Sequence, residues 1–242
     1  MIPLYYDLHL HSCLSPCGDS DMTPGNLVGM AAVKGLDVIA LTDHNSCQNC
    51  PAAMHHGETY GVTVIPGMEL TTSEEVHVVC LFPSLEDAMA FDGLVYGRIL
   101  PVQNRPEIFG EQLILDKEDQ VIGQVERLLI NATDISFSEV FPLASSYHGL
   151  AFPAHVDKSS NSLLANLGFV PPDSTFTCAE ISSFDQLHRV QKEHPYFQKC
   201  HMISNSDAHY LTDIHEPCYQ LYSASHSLPD LLEALSHYPI RP

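Results

Sequence analysis

Seven short apolar runs alternate with stretches of helical character along this chain: Leu4–His11, Asp37–Thr42, Val62–Glu69, Val76–Phe82, Leu150–His155, Thr175–Ser182 and His201–Asp207. Several are continuously apolar rather than alternating, which is the pattern of strands covered on both faces. Between them, Thr23-Pro24 supplies an N-cap followed by a first-turn proline, and Gly35 closes that helix. Ser84 and Asp87 resemble a capping box ahead of a helix over Ala88–Tyr96. Further helices are expected over Asp119–Leu129, Phe137–Ser145, Ser160–Leu167 and Asp185–Glu193. Such an order predicts an α/β fold built from βαβ units with a parallel sheet, closed into a small, irregular TIM-like barrel of seven strands. The stretch Pro101–Tyr147 breaks the rhythm. It is expected to be an insertion between the fourth and fifth barrel strands, a lid or an extra helical pair, within a single domain over residues 1–242, because its own core would be too small to stand alone.

Composition narrows the class. Of the 242 residues, 45% are hydrophobic and 17% charged, a globular balance. No apolar run approaches the roughly 20 residues of a membrane span, and Met1–Tyr6 lacks a basic leader and a cleavage site. A cytoplasmic location is expected, with mostly reduced thiols among the eight cysteines. Cys47 and Cys50 form a C-x-x-C with no second pair at zinc-ribbon spacing. Ten basic against 30 acidic residues give a formal charge of −20. A duplex phosphate backbone would be repelled by such a surface, so long nucleic acid is not expected as a partner. A small phosphorylated substrate is still compatible with it, provided bound cations supply the local positive field. Oligomeric state is not set by these features.

Fifteen histidines direct attention to metal chemistry, and their positions matter more than their number. In Asp7-Leu8-His9-Leu10-His11-Ser12 the i, i+2 spacing on a strand turns His9 and His11 to one face, where a divalent ion can satisfy both rings. Thr42-Asp43-His44-Asn45 ends the next apolar run; His44 could ligate while Asp43 orients a neighbour, or the pair could cap a turn. Glu69 closes a strand in a chain with few basic partners, where bridging cations would remove the cost of an unpaired carboxylate. His77 opens the following strand, His155 closes Pro153-Ala154-His155, and Asp207 and His209 repeat the i, i+2 logic in Ser206-Asp207-Ala208-His209. In a closed barrel these strand ends ring one mouth, and their joint arrangement points to a metal cluster.

These segments, Asp7–Ser12, Thr42–Asn45, Gly67–Glu69, His77, Pro153–His155 and Ser206–His209, resemble in order and spacing the polymerase and histidinol phosphatase (PHP) superfamily. The resemblance implies a distorted seven-stranded (β/α)7 barrel with two to three divalent ions, zinc, manganese or iron. It implies that His9, His11, Glu69 and Asp207 hold one ion, that Glu69 bridges to a second completed by His77 and His155, and that His44 and His209 share a third. The third needs one more ligand from Ser15-Pro16-Cys17-Gly18-Asp19-Ser20-Asp21, where this sequence departs from the family. Counting back from Thr23-Pro24 favours Asp19, counting forward from His11 points to Cys17, and Asp21 is also in range. The implied activity is phosphoester hydrolysis by a hydroxide shared between metals, with Glu69, Asp207, His209 and Asp43 at the chemistry. Lys158, Arg98, Arg105 and Arg189 are candidates to bind phosphate. Two other readings are an amidohydrolase-type barrel, for which no lysine lies at a matching strand end, and a non-catalytic, metal-stabilised module.

Overall fold

Strand β1 (Ile2–Leu10) is buried almost throughout from Leu4 onward, and successive residues feed different parts of the core. Leu4, Tyr6 and Leu8 join one apolar cluster and Leu10 a second. Strand β2 (Val38–Leu41) divides its side chains the same way, Val38 and Ala40 into the first cluster and Ile39 and Leu41 into the second. Period-two burial on both faces is why these runs read as continuously apolar. In the computed structural model, which describes residues 1–236, the remaining strands are β3 (Thr63–Thr71), β4 (His77–Leu81), β5 (Leu113–Leu115), β6 (Val121–Gln124), β7 (Leu150–Pro153), β8 (Cys178–Glu180), β9 (His201–Ile203) and β10 (Gln220–Ser223). The helices are α1 (Pro24–Lys34), α2 (Cys50–Tyr60), α3 (Leu85–Arg98), α4 (Pro106–Phe109), α5 (Phe137–Ser146), α6 (Leu163–Asn166), α7 (Leu187–Glu193) and α8 (Leu228–Ser236).

Six strands form one α/β sheet in the order β10-β1-β2-β3-β4-β7, and β8 and β9 form a separate parallel pair. The expected seven segments are all extended, but they are divided between these two sheets, and β10 joins as an edge that the sequence pattern did not indicate. A bond from the Val156 N–H to the Glu180 carbonyl (2.9 Å) ties the β8–β9 pair to the end of β7. A bridge between Leu10 and Ala208 ties it to the end of β1. Nor is the large sheet wholly parallel. β1–β2 and β2–β3 are parallel, whereas β4 runs antiparallel to both β3 and β7. The reason is the connection. The few residues between Thr71 and His77 close a turn through Thr72 N–H to Val76 carbonyl (2.9 Å), while a parallel crossover needs about a dozen or more.

Helix α1 begins and ends as expected: the Thr23 side chain accepts from the Asn26 N–H, and Gly35 takes a left-handed φ of 83°. The Ser84 hydroxyl likewise accepts from the Asp87 N–H at the start of α3. Two expectations are corrected. Helix α2 was missed because His55-His56-Gly57-Glu58 blurs any apolar face. The helix expected over Asp119–Leu129 is instead a turn leading into β6, paired antiparallel to β5 as a hairpin, where Val121-Ile122-Gly123 favours extended backbone. Residues 101–147 therefore contain α4, this hairpin and α5, which packs against β7, rather than an extra helical pair.

Asp119, at a left-handed φ of 54°, caps α1 from across the fold. Its carboxylate accepts from the Thr23 hydroxyl (2.6 Å) and the Gly25 N–H (3.1 Å). Asp119→Ala should destabilise the protein by about 1–2 kcal/mol, the cost of losing a good N-cap. Chemical denaturation checks this, and an unchanged midpoint would show that the cap contributes nothing.

All eight cysteines are free thiols, six of them buried, Cys47 and Cys50 included. Among the described residues no helix is long and apolar enough to cross a membrane.

Candidate metal centre

The ends of β1, β2, β3, β4 and β7, with the loop after β9, bring six imidazoles around one buried carboxylate, five of them within ion-pair distance of it. Glu69 is 1% exposed, and its two oxygens address different neighbours. Oε1 lies 2.8 Å from His77 Nδ1, 3.1 Å from His155 Nε2 and 3.2 Å from His9 Nε2. Oε2 lies 3.0 Å from His44 Nδ1 and 3.4 Å from His11 Nε2. Asp207 Oδ1 lies 3.2 Å from His11 Nε2 and 3.4 Å from His9 Nε2. The His209 ring stacks on His11 with centroids 4.2 Å apart.

Three overlapping groups could each hold a divalent ion: His9, His11, Glu69 and Asp207; His44, Glu69 and His77; and His11, His44 and His209. The donor chemistry fits. His9 Nε2, His11 Nε2, His44 Nδ1 and Asp207 Oδ1 are buried without a hydrogen-bond partner. Buried polar atoms in folded proteins are nearly always satisfied, so a concentration of unsatisfied ligand atoms facing one another is the signature of a cation site.

Electrostatics inside the cluster are polarised. Burial works against a charged His9, but Glu180, Glu69 and Asp207 outweigh it and hold its pKa well above the usual range. For His11, burial and the neighbouring His209 and His44 push the pKa well below. Glu69 is held well below the carboxylate range despite its burial, chiefly by His77 and His9. His44 is raised to about 10, Cys17 and Glu69 overcoming the effect of burial. The raised His44 pKa favours its imidazolium in the absence of metal, whereas a metal accepts only the neutral ring. Binding must release that proton, so affinity for a divalent ion should climb with pH by about tenfold per unit for each proton released, up to the raised His44 pKa. Competition against a chelating dye at several pH values measures this; a flat profile would contradict it.

A layer of residues behind the cluster fixes its rings. His9 Nδ1 lies 2.9 Å from Glu180 Oε2, and Glu180 is buried. The Ser15 hydroxyl meets His11 Nδ1 at 2.9 Å and donates to Asp43 Oδ1 at 2.7 Å. Asp43 also accepts from the Ser12 N–H (2.7 Å) and hydroxyl (2.6 Å). Asp43 thus lies behind the cluster and acts on His11 through Ser15. Asp7 accepts from the N–H groups of Ser206 (3.0 Å) and His215 (3.1 Å), fastening the loop that carries Asp207 and His209. Sequence reasoning missed Glu180 and Ser15. For Glu180 a signal existed, a carboxylate in an apolar strand of a chain poor in basic residues, the same argument that singled out Glu69.

Asp19 is not brought to the cluster. Its carboxylate accepts from the Asp21 N–H at 2.9 Å, capping the local turn. Cys17 instead lies against His44 and His209; partial enclosure disfavours its thiolate, but those two rings bring the thiol down to about 6. Of the four phosphate-binding candidates, Lys158 is the one the fold places at the cluster, its Nζ 2.5 Å from Asp207 Oδ2. Arg98 pairs with Asp134 and Glu139, and Arg189 with Glu193 at 3.7 Å. Arg105 lies at the start of α4.

Strand-end histidines and carboxylates gathered on an α/β sheet define a metal-binding class of site, and comparison with known proteins gives the family. The chain belongs to the PHP domain family, which matches residues 7–228. Its relatives are hydrolases. Over 95 residues it is 34% identical to the 5'-3' exoribonuclease Rnm of Salmonella typhimurium, a stretch covering 35% of this chain and 31% of that enzyme. Its fold is similar to the lesion-specific endonuclease PfuEndoQ from Pyrococcus furiosus, with a TM-score of 0.70 and 18% identity over 97% of this chain and 56% of the other. It is also similar to Endonuclease Q in complex with a 27-mer duplex substrate with an abasic lesion at the active site, at a TM-score of 0.60 and 19% identity over 87% of this chain and 50% of that one. The chain thus matches only about half the length of these structures, and less than a third of the exoribonuclease.

These relatives correct the expectation that long nucleic acid is excluded. A net charge of −20 sums the whole surface and does not give the field at any one site, which bound cations could reverse locally.

Proposed function

We propose that this PHP protein hydrolyses phosphoester bonds of nucleic acid, using two to three divalent ions (zinc, manganese or iron) held by His9, His11, His44, Glu69, His77, His155, Asp207 and His209. The observation that carries this reading is Glu69, whose two oxygens face two sets of imidazoles and so can fix two cations at one separation. Such ions supply Lewis-acid polarisation of a phosphoryl oxygen and a water acidified toward neutral pH. The chain's own groups do the rest. Glu69 and Asp207 contribute the negative charge that keeps cations in a cluster otherwise made of neutral rings. Glu180 and Ser15 hold His9 and His11 in register. The Lys158 ammonium, paired with Asp207 and 42% exposed, would meet an incoming phosphate oxygen.

The test is a panel of 5'-phosphorylated RNA and DNA oligonucleotides, mononucleotides and an aryl phosphate, with manganese or zinc added. Chelator-sensitive release of nucleotides, lost in His9→Ala, is expected. A fully metal-loaded protein that cleaves none of them would overturn the proposal.

A further inference from the structure

The Cys47-Gln48-Asn49-Cys50 motif lies outside the groups of ligand atoms that gather at the metal centre. It leads from the end of β2 into α2, and both of its thiols are free and buried. The Cys50 N–H donates to the Cys47 carbonyl at 2.9 Å, closing a four-residue turn. Such a turn holds its outer Cα atoms within about 7 Å of one another, close to the span a disulfide needs. The side chains converge as well. Cys47 Sγ lies 3.2 Å and Cys50 Sγ 3.6 Å from a single acceptor, the Gly67 carbonyl oxygen. A bond between the sulfurs therefore asks for side-chain rotation within the turn rather than movement of either strand.

The position of the shared acceptor gives the pair its consequence. Gly67 is buried and stands two residues before Glu69 on β3. A Cβ there would meet the Cys80 carbonyl oxygen at 2.5 Å, so the strand is tightly packed at this point. Cys47 in turn follows His44 by three residues, and the segment between them is fastened on both sides. The Asn45 amide donates to the carbonyls of Leu129 (2.7 Å) and Asn131 (2.8 Å) and accepts from the Thr71 N–H (2.9 Å). Asp92 Oδ1 accepts from the Ser46 hydroxyl (2.9 Å) and the Cys47 N–H (2.7 Å). A displacement at Cys47 is thus passed toward His44 instead of being absorbed. As thiols, both cysteines donate to the Gly67 carbonyl. As a disulfide neither has a hydrogen to donate, and a buried carbonyl beside Glu69 loses two donors.

We propose that Cys47 and Cys50 are a redox modification site: a low-molecular-weight disulfide of the glutathione class converts them to an intramolecular disulfide, and this bridge weakens metal binding at the neighbouring centre. One cysteine thiolate attacks a sulfur of the reagent and releases a first thiol; the other then attacks the mixed disulfide and releases a second. The S–S bond of the reagent breaks, that of the protein forms, and two electrons and two protons end on the released thiols. Because both sulfurs are buried, the reagent reaches them through local opening of the turn, and conversion takes minutes to hours. The effect on metal binding rests on the reading of the cluster as a metal centre; the bridge itself does not.

The test incubates the metal-free full chain with oxidised glutathione, removes the reagent, and follows intact mass, peptide sequence and manganese titration. The expected product has lost two hydrogens, carries a Cys47–Cys50 bridge and binds manganese about tenfold more weakly or worse, the range typical of disturbing the support of a metal ligand. Reduction should restore both mass and affinity. Cys47→Ser and Cys50→Ser each keep a hydroxyl that can donate to Gly67, so each should bind manganese as the parent does and ignore the oxidant. Both retain the exposed Cys17 and Cys218, so an oxidant-induced loss of affinity that persists in them would overturn the proposal. Glutathione adducts without the bridge, or a bridge to Cys80, would overturn the site. A Cys47–Cys50 bridge with unchanged affinity would overturn its link to the centre. A reduced protein that binds no metal would overturn the reading of the cluster, and the link with it, while the mass still decides the bridge.

Discussion

Glu69→Gln should reduce hydrolysis by about 10²- to 10⁴-fold, since stripping one partner from buried charges costs about 3–5 kcal/mol and each 1.36 kcal/mol is a factor of ten. The substitution is nearly isosteric but removes the one charge shared by five imidazoles. It also turns an acceptor into a group that presents N–H hydrogens toward ring nitrogens or a cation. Metal content, measured by elemental analysis after dialysis, should fall with activity, while circular dichroism shows whether the fold persists. Because its neighbours hold Glu69 far below the usual carboxylate range, acid should not reproduce the effect through Glu69 itself; the histidines would lose their metals first. Activity within tenfold of the parent would mean that Glu69 is not the hub of the centre.

Glu180→Gln should lower metal affinity by about 10- to 100-fold, the usual penalty for removing a carboxylate behind a ligating histidine. Glu180 orients His9 through Nδ1 and leaves Nε2 directed at Glu69 and Asp207. It also raises the basicity of the ring, being the first of the three carboxylates that oppose the effect of burial on His9. The distinguishing readout is titration. Excess metal should restore much of the activity of Glu180→Gln but not that of Glu69→Gln. If added metal restores neither or both equally, the two carboxylates do not divide the work as their positions indicate.

Residues whose role follows from strand geometry could be read before any coordinates. His9 and His11 are two apart on a strand, so their shared face is dictated by the pleat, and Glu69 and His155 stand out as polar ends of apolar runs. What could not be read was anything decided by backbone folding between strands. Asp19 and Cys17 differ by two positions in a loop of turns, and their side chains diverge because a hydrogen bond to the Asp21 N–H takes one of them. Asp43 could be read beside His44 as orienting a neighbour, but not which one: the strand end turns it onto Ser12 and Ser15, and through Ser15 it reaches His11. In the fold, the antiparallel course of β4 depended on the length of one connection, and the hairpin at 113–124 on a left-handed aspartate. Neither leaves a periodic trace. The partner expectation failed for another reason: a total charge carries no information about where the charge is.

The loop that carries Asp207 and His209 is bound to β1 by contacts that span almost the whole chain: the Leu8 N–H donates to Asn205 Oδ1 across 197 residues of sequence. No segment ending before that loop can assemble the centre, however well its other strands have formed. Contacts of such long range form late, after their loop-closure entropy has been overcome. An ion that binds only the finished arrangement adds its binding energy to the stability of the entire protein rather than to one local piece. Metal occupancy in this chain would therefore also gauge folding across nearly its whole length, and its loss should open the molecule first at the seam between β1 and the loop after β9.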